Sequence, residues 1–295
     1  MKILLTGPTG FIGSAFTRLA LERGHQVAGL IIPGESIPTW APRSDRLLWL
    51  RGTLDDAPWS EIAEFQAEVC VHTAWITTPG VYLELPENEK FRDTSLAFLQ
   101  KVCEAGTRHI VGLGTCIEYR IGNEPLSEEH TPVEPGTVYA RCKNELRLAL
   151  EAEARGKNYS FCWARVFYPY GPGEHPSRLC SSIIAKLRNS EEIVLKTPGS
   201  TKDYIFIDDL AAALISVVER RFAGTINLGT GVGVSVEHVA RQLGALLGKP
   251  ELIKPAADPL PDPFPLVVAD VRKLKSIGWQ QKVSCEEGLR RLVEA

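Results

Sequence analysis

The chain has 295 residues, of which 44% are apolar and 23% charged, with a net charge of −3. That length buries a sizeable core. The weak negative balance leaves no basic footprint for nucleic acid and no polybasic patch for a membrane surface, and no apolar run approaches the ~20 residues that span a bilayer.

Seven scattered cysteines without a Cys-x-x-Cys pair, and six histidines at no ligand spacing, give neither a disulfide framework nor a metal site. They read as buried free thiols in a reducing, cytoplasmic compartment. The chain opens on apolar residues broken by Gly7, Pro8 and Gly10 with no small-residue cleavage pattern, so no signal peptide is expected.

In chain order, strands are expected at Lys2–Thr6, Gln26–Ile31, Leu47–Arg51, Val69–His72, Ile110–Leu113 and Tyr159–Val166. Helices are expected between them, notably at Ile12–Arg23, Thr94–Ala105 and Tyr139–Ala154. The strands are continuously apolar rather than alternating, which marks a parallel sheet covered on both faces. The fold class is therefore α/β, a doubly wound parallel sheet of Rossmann type with a smaller, interleaved C-terminal lobe and a site at the carboxyl ends of its strands.

From about Tyr168 the texture changes. Pro169–Gly173 and His175-Pro176 make a loop, a helix is expected over Leu179–Arg188, and Ile205–Ile207 and Thr225–Leu228 read as returning strands. Pro255, Pro259, Pro261, Pro263 and Pro265 stiffen a segment ahead of a short C-terminal helical pattern. The expected division is residues 1–167 with 203–230 as a dinucleotide-binding domain, and residues 168–202 with 231–295 as a substrate lobe.

The first strand runs into Gly7-Pro8-Thr9-Gly10-Phe11-Ile12-Gly13 and then an amphipathic helix. Glycines at this place permit a tight turn, a close backbone approach to a pyrophosphate and close helix–strand packing. The second strand ends Ile31-Ile32-Pro33, without the carboxylate that would hold an NAD ribose and repel a 2′-phosphate. NADP is therefore mildly favoured over NAD. Arg43 and Arg46 are candidates for the phosphate if their loop folds back.

Tyr139 and Lys143 stand four residues apart on one helix face. An ammonium there favours the phenolate and prepares the phenol for proton transfer with a carbonyl or alcohol oxygen. Thr115 ends a strand 24 positions earlier and would donate to the same oxygen.

With Val71-His72-Thr73-Ala74, Arg165, Tyr170-Gly171-Pro172, Lys202-Asp203-Tyr204 through Asp208-Asp209, Asn227–Gly231, Asp270 and Ile277-Gly278-Trp279, these motifs in this order resemble the extended short-chain dehydrogenase/reductases of the NAD-dependent epimerase/dehydratase type, over nearly the whole chain. The resemblance implies a Rossmann lobe for NAD(P) and a smaller lobe for a nucleoside-diphosphate sugar. By position it assigns Thr115, Tyr139 and Lys143 to catalysis. It sets Thr53 and Leu54 at the adenine, Thr73, Ala74 and Trp75 at the pyrophosphate and nicotinamide ribose, Arg178 and Lys202 at the substrate diphosphate, and Thr77 and Tyr168 at the sugar.

It also implies a homodimer through the helix of Tyr139 and the helix before it. Leu146, Leu148, Ala149 and Ala152 would lie beside Leu96, Phe98 and Leu99, though the same residues would equally pack on the sheet. Three departures stand out. Cys116 and Ile117 occupy the positions where dehydratases of this type carry an acidic pair. Tyr168 replaces a substrate asparagine, and Pro255–Pro265 replaces an arginine-bearing segment.

The expected activity is hydride transfer at a sugar carbon, C4 foremost, as a reductase or an epimerase. The alternatives are an NADPH-dependent reductase of a non-sugar carbonyl, or a catalytically silent NADP-binding sensor.

Overall fold

Three consecutive apolar side chains, Ile3, Leu4 and Leu5, have no solvent exposure. They form the centre of β1 (Lys2–Thr6) in a computed structural model that describes all residues, Met1–Ala295. The chain continues through α1 (Phe11–Glu22), β2 (Gln26–Ile31), β3 (Leu47–Arg51), α2 (Trp59–Phe65), β4 (Val69–His72), α3 (Glu87–Glu104), β5 (His109–Thr115), α4 (Val138–Gly156) and β6 (Ser160–Val166). Strands β3, β2, β1, β4 and β5 pair side by side in parallel. The seven-stranded sheet is completed by β6 and by β10 (Gly224–Leu228), in the order β10-β6-β5-β4-β1-β2-β3.

The order reverses between β1 and β4. In doubly wound sheets the carboxyl ends at such a switch point are where ligands bind. The register puts Thr6 beside Leu30 of β2 on one side and beside His72 of β4 on the other. Helices earn their places by burying one face: α1 sinks Ala15, Phe16, Ala20 and Leu21, while α3 sinks Phe98, Leu99 and Val102. The α4 helix starts where Thr137 accepts a hydrogen bond from the Ala140 N–H, a side-chain N-cap worth about 1 kcal/mol.

Contacts divide the chain into two units, residues 1–118, 134–165 and 211–226, and residues 119–133, 166–210 and 227–295. Segment 119–133 thus groups with the second unit, and the chain returns to the first only at 211–226 rather than across 203–230. The second unit holds β7 (Tyr168–Tyr170), α5 (Leu179–Arg188), β8 (Ile193–Leu195), β9 (Thr201–Phe206), β11 (Gly233–Ser235), α7 (Val236–Leu246), β12 (Ile253–Pro255), β13 (Leu266–Val267), α8 (Arg272–Ser276) and α9 (Cys285–Glu294), and α6 (Ile207–Glu219) crosses from it into the first. Its sheet is centred on β9, which pairs with β7, β11 and β13.

Several boundaries differ from the expectations. The α3 helix begins at Glu87, not Thr94, because its first turns are polar. Glu87 and Glu89 favour the helix start electrostatically, and the buried residue there is Asn88. Ile207 opens α6 instead of ending a strand. The proline-rich stretch extends β12 and is then tied down by the Leu260 N–H donating to Lys196 O at 2.8 Å.

The dimer candidates split. Leu146, Phe98 and Leu99 lie in the core, whereas Leu148 is half-exposed. All seven cysteines are free thiols, six of them buried. No helix is long and apolar enough to cross a membrane.

Candidate active site

The turn after β1 is built so that two of its glycines, Gly7 and Gly13, cannot be replaced cheaply. Gly7 has φ +68°, and a Cβ on it would stand 3.0 Å from the backbone of Ala74. A Cβ on Gly13 would stand 2.0 Å from Gly7 O, so α1 is packed directly on the turn. Gly10 is the N-cap of α1 and offers no side-chain acceptor. The first N–H groups of the helix therefore carry no side-chain cap, and the positive end of its dipole is exposed. That cradle fits a pyrophosphate. Thr9 lies on the turn, and Phe11 and Ile12, both half-buried, open the helix.

The end of β4 locks this turn. Thr73 Oγ1 donates to Thr6 O at 2.7 Å, and the Ala74 N–H donates to Thr6 Oγ1 at 3.2 Å. Thr6 Oγ1 is also hydrogen-bonded to His72 Nδ1 at 2.9 Å, and His72 Nε2 to Ser95 Oγ at 3.1 Å. Burial, with the nearby Lys143 charge, pulls His72 down to about 3, so the ring is a neutral spacer. At the end of β3, Thr53 closes a turn on Asp56, accepting the Asp56 N–H at 3.0 Å, and Leu54 packs on the core. Arg46 does not fold back towards these ends. It precedes β3, its carbonyl accepts the Val27 N–H at the opposite end of the sheet, and its guanidinium approaches Gly24.

The phenol and ammonium come from α4. Lys143 is buried, donates to Leu113 O at 2.8 Å, and stands 3.8 Å above the centre of the Trp75 ring. Burial lowers its ammonium to about 7, against a partial upward pull from Glu118. Tyr139 lies edge-on to Tyr82, with centroids 4.9 Å apart, and edge-on to Trp75 at 6.3 Å. Its backbone N–H donates to Leu83 O at 2.9 Å. The structure thus gathers Tyr139, Lys143 and Trp75, and ties Lys143 to β5 two residues before Thr115.

Two supporting residues belong to none of the sequence motifs. Asn88, fully buried, accepts from Trp75 Nε1 at 2.7 Å and donates to Tyr82 O and Leu85 O, both at 2.8 Å, which fastens the loop carrying Trp75 and Tyr82. Glu118, also fully buried, accepts from the Thr115 N–H at 2.8 Å, from Trp163 Nε1 at 3.0 Å and from Arg165 Nε at 2.8 Å. The signal for Glu118 was a lone carboxylate between apolar residues, Ile117 and Tyr119. Cys116 and Ile117, in the single 3₁₀ turn Cys116–Glu118, are buried.

The substrate-side candidates are more dispersed. Thr77 is exposed on the loop after β4, and Arg178 is the N-cap residue of α5. In the second unit, the Tyr168 ring packs tilted against Tyr204, centroids 6.1 Å apart, with Lys202 Nζ 5.7 Å above it. Lys202, buried, is ion-paired to Asp262 at 2.8 Å and donates to Phe264 O. Its charge is already matched, which argues against the diphosphate role expected for it.

The glycine cradle and the Tyr/Lys pair lie at the carboxyl ends of a doubly wound sheet, and the model of the NAD dependent epimerase/dehydratase family matches residues 3–229. The chain belongs to that family. Among its relatives, a UDP-glucose 4-epimerase of Corynebacterium glutamicum is 27% identical over 315 aligned positions, covering 100% of this chain and 94% of that protein. A dTDP-glucose 4,6-dehydratase of Mycolicibacterium smegmatis is 25% identical over 84% of the chain and 78% of its own length. Among solved structures, the UDP-glucose 4-epimerase of Thermus thermophilus in complex with NAD superposes with a TM-score of 0.86 at 25% identity, covering 100% of this chain and 98% of that one.

Proposed function

We propose that the protein moves hydride at a sugar carbon, C4 foremost, of a nucleoside-diphosphate sugar, as an epimerase or a 4-ketoreductase. The observation that carries this reading is the α4 pair: a buried ammonium lowered to about 7 by desolvation, one helical turn from a phenol and bonded to the strand that ends in Thr115. The Corynebacterium glutamicum and Thermus thermophilus relatives, both UDP-glucose 4-epimerases, support the substrate class.

When bound, the nicotinamide ring supplies the hydride acceptor and donor. The chain's own residues do the rest. The Gly7–Gly13 turn and the N-terminus of α1 hold the pyrophosphate, with Thr53 and Leu54 at the adenosine end and Thr73, Ala74 and Trp75 at the nicotinamide end. Tyr139 Oη takes the proton from the sugar hydroxyl as it becomes a carbonyl and returns it on reduction. The Lys143 charge favours the phenolate through that exchange, and Thr115 donates to the same sugar oxygen. Thr77, Tyr168 and Arg178 are the candidates for holding the sugar and its diphosphate.

Elimination of water is not part of this reading. Cys116 and Ile117 are buried and carry no carboxyl, and all the acceptor capacity seen at Glu118 is directed to Thr115, Trp163 and Arg165. A homodimer formed through the exposed faces of α3 and α4 belongs to the same proposal.

Incubating the protein with UDP-glucose or UDP-galactose, without added cofactor, and following the sugar H4 signal by NMR tests it. Interconversion is the expected epimerase result, and consumption of a 4-keto sugar nucleotide only with added reduced cofactor would make it the reductase. Inertness towards both would sink the sugar-nucleotide reading. Reduction of a non-sugar carbonyl is the second reading, favoured by the closed Lys202–Asp262 pair.

A further inference from the structure

The end of β2 lacks an acid in the sequence, yet the structure brings one there. Ile31, the last residue of the strand, is buried. The next four residues, Ile32-Pro33-Gly34-Glu35, close a turn in which the Glu35 N–H donates to Ile32 O at 3.0 Å. Proline at the second position and Gly34 at φ +86° at the third are the requirements of a type II turn. The turn folds the side chain back, so that Glu35 Oε2 accepts the Ile32 N–H at 3.3 Å.

Arg51 ends β3 in register with Ile31, and its Nη1 donates to the Glu35 carbonyl at 2.9 Å. The carboxyl ends of β2 and β3 thus carry one carboxylate and one guanidinium, side by side. They adjoin the glycine turn, for Leu30 is paired with Thr6 of β1, and a Cβ on Gly29 would stand 3.0 Å from the ring of Pro8. On α1, Arg18 is engaged with the Trp40 ring at 5.2 Å.

We infer that Glu35, delivered by this turn and held by Arg51, is the residue that reads the adenosine ribose hydroxyls and selects NAD over NADP. The inference rests on the dinucleotide reading given above. A carboxylate has acceptor capacity for about four hydrogen bonds, and one is taken by Ile32. The remainder suits two vicinal hydroxyls, and the charge opposes a 2′-phosphate. Arg51 is the counterweight: with Glu35 neutralised, the guanidinium is left as the nearest partner for that phosphate. This reverses the NADP preference expected from Ile31 alone.

The test uses the full chain, stripped of nucleotide, titrated with NADH and with NADPH by fluorescence. The wild type is expected to bind NADH tighter by about tenfold or more, the scale of one like-charge contact. Glu35→Gln narrows that ratio by about tenfold, chiefly by strengthening NADPH, and Glu35→Gln with Arg51→Met loses the gain. Thermal melts of each variant verify folding. A wild type that prefers NADPH, or a folded Glu35→Gln with an unchanged ratio, overturns the inference while leaving dinucleotide binding intact. Failure of the wild type to bind either nucleotide overturns the dinucleotide reading itself and the inference with it.

Discussion

Lys143→Met should make the protein more stable at acidic pH and cost it its activity. The ammonium is buried, and burial moves it from 10.5 to about 7. At about 1.4 kcal/mol per unit, that difference is on the order of 5 kcal/mol held against the folded state wherever lysine is charged in both states. Methionine keeps the stem but leaves Leu113 O without its donor, a loss of about 1–3 kcal/mol. The net gain near pH 6 is therefore about 2 kcal/mol or more, which in a chain of this size is several degrees of melting temperature.

The sign of the pH dependence follows from the same shift. Below pH 7 both states hold the proton. Between about 7 and 10.5 the unfolded chain keeps it while the folded one releases it, so wild-type stability rises across that window. The advantage of Lys143→Met must accordingly shrink from pH 6 to pH 9.5 and vanish or invert at the top. Melting curves by circular dichroism at steps of pH, wild type against variant, measure it directly. An offset in melting temperature that is the same at every pH would refute the buried-charge account.

Tyr139→Phe should lower turnover by about 10²–10⁴-fold while nucleotide affinity, measured by titration calorimetry, stays within a few-fold of wild type. Gly13→Ala forces a Cβ against Gly7 O and should abolish nucleotide binding with a drop in melting temperature, both read in one thermal-shift titration. Glu118→Gln leaves the Arg165 guanidinium, 2% exposed, without its ion partner and should destabilise by about 3–5 kcal/mol, as measured by urea unfolding. Lys202→Met should leave affinity for a nucleoside diphosphate little changed but release the segment around Asp262, seen as faster proteolysis near Pro261–Pro265. A large loss of affinity instead would restore Lys202 to the diphosphate.

The parallel strands were the most legible part of the chain. β1 to β4 lie at the expected bounds: β1, β2 and β4 are covered on both faces and so are continuous apolar runs, and β3, half-exposed at the sheet edge, keeps an apolar run over Leu47–Leu50. Helix ends governed by polar chemistry were less legible. The start of α3 at Glu87 is fixed by the buried Asn88 side chain bonding Trp75, Tyr82 and Leu85, polar contacts that hydrophobic periodicity cannot register. The placement of Tyr139 and Lys143 one turn apart on the same helix could be read from sequence, but the indole above the ammonium could not, since Trp75 and Lys143 are 68 positions apart. Lys202 shows the converse. Its neighbours suggested a phosphate ligand, and only the folded chain discloses the partner, Asp262, sixty positions on.

The charges behind β5 explain why the lysine sits near neutrality. Two cations, Lys143 and Arg165, and one anion, Glu118, are buried there. A bidentate-capable guanidinium competes better for a carboxylate than an ammonium does, and Glu118 bonds Arg165 Nε directly while reaching Lys143 only through space. The ammonium is left with one carbonyl and the face of Trp75, a cation–π contact worth about 2 kcal/mol when desolvated. Neither offsets its lost hydration in full. Replacing Arg165 by methionine would free Glu118 to answer Lys143, and the lysine should then titrate well above 7. The pH at which Lys143→Met loses its stability advantage should move upward in the Arg165→Met background. If it stays in place, Glu118 and Lys143 are not coupled and the ammonium is held by the carbonyl and indole alone.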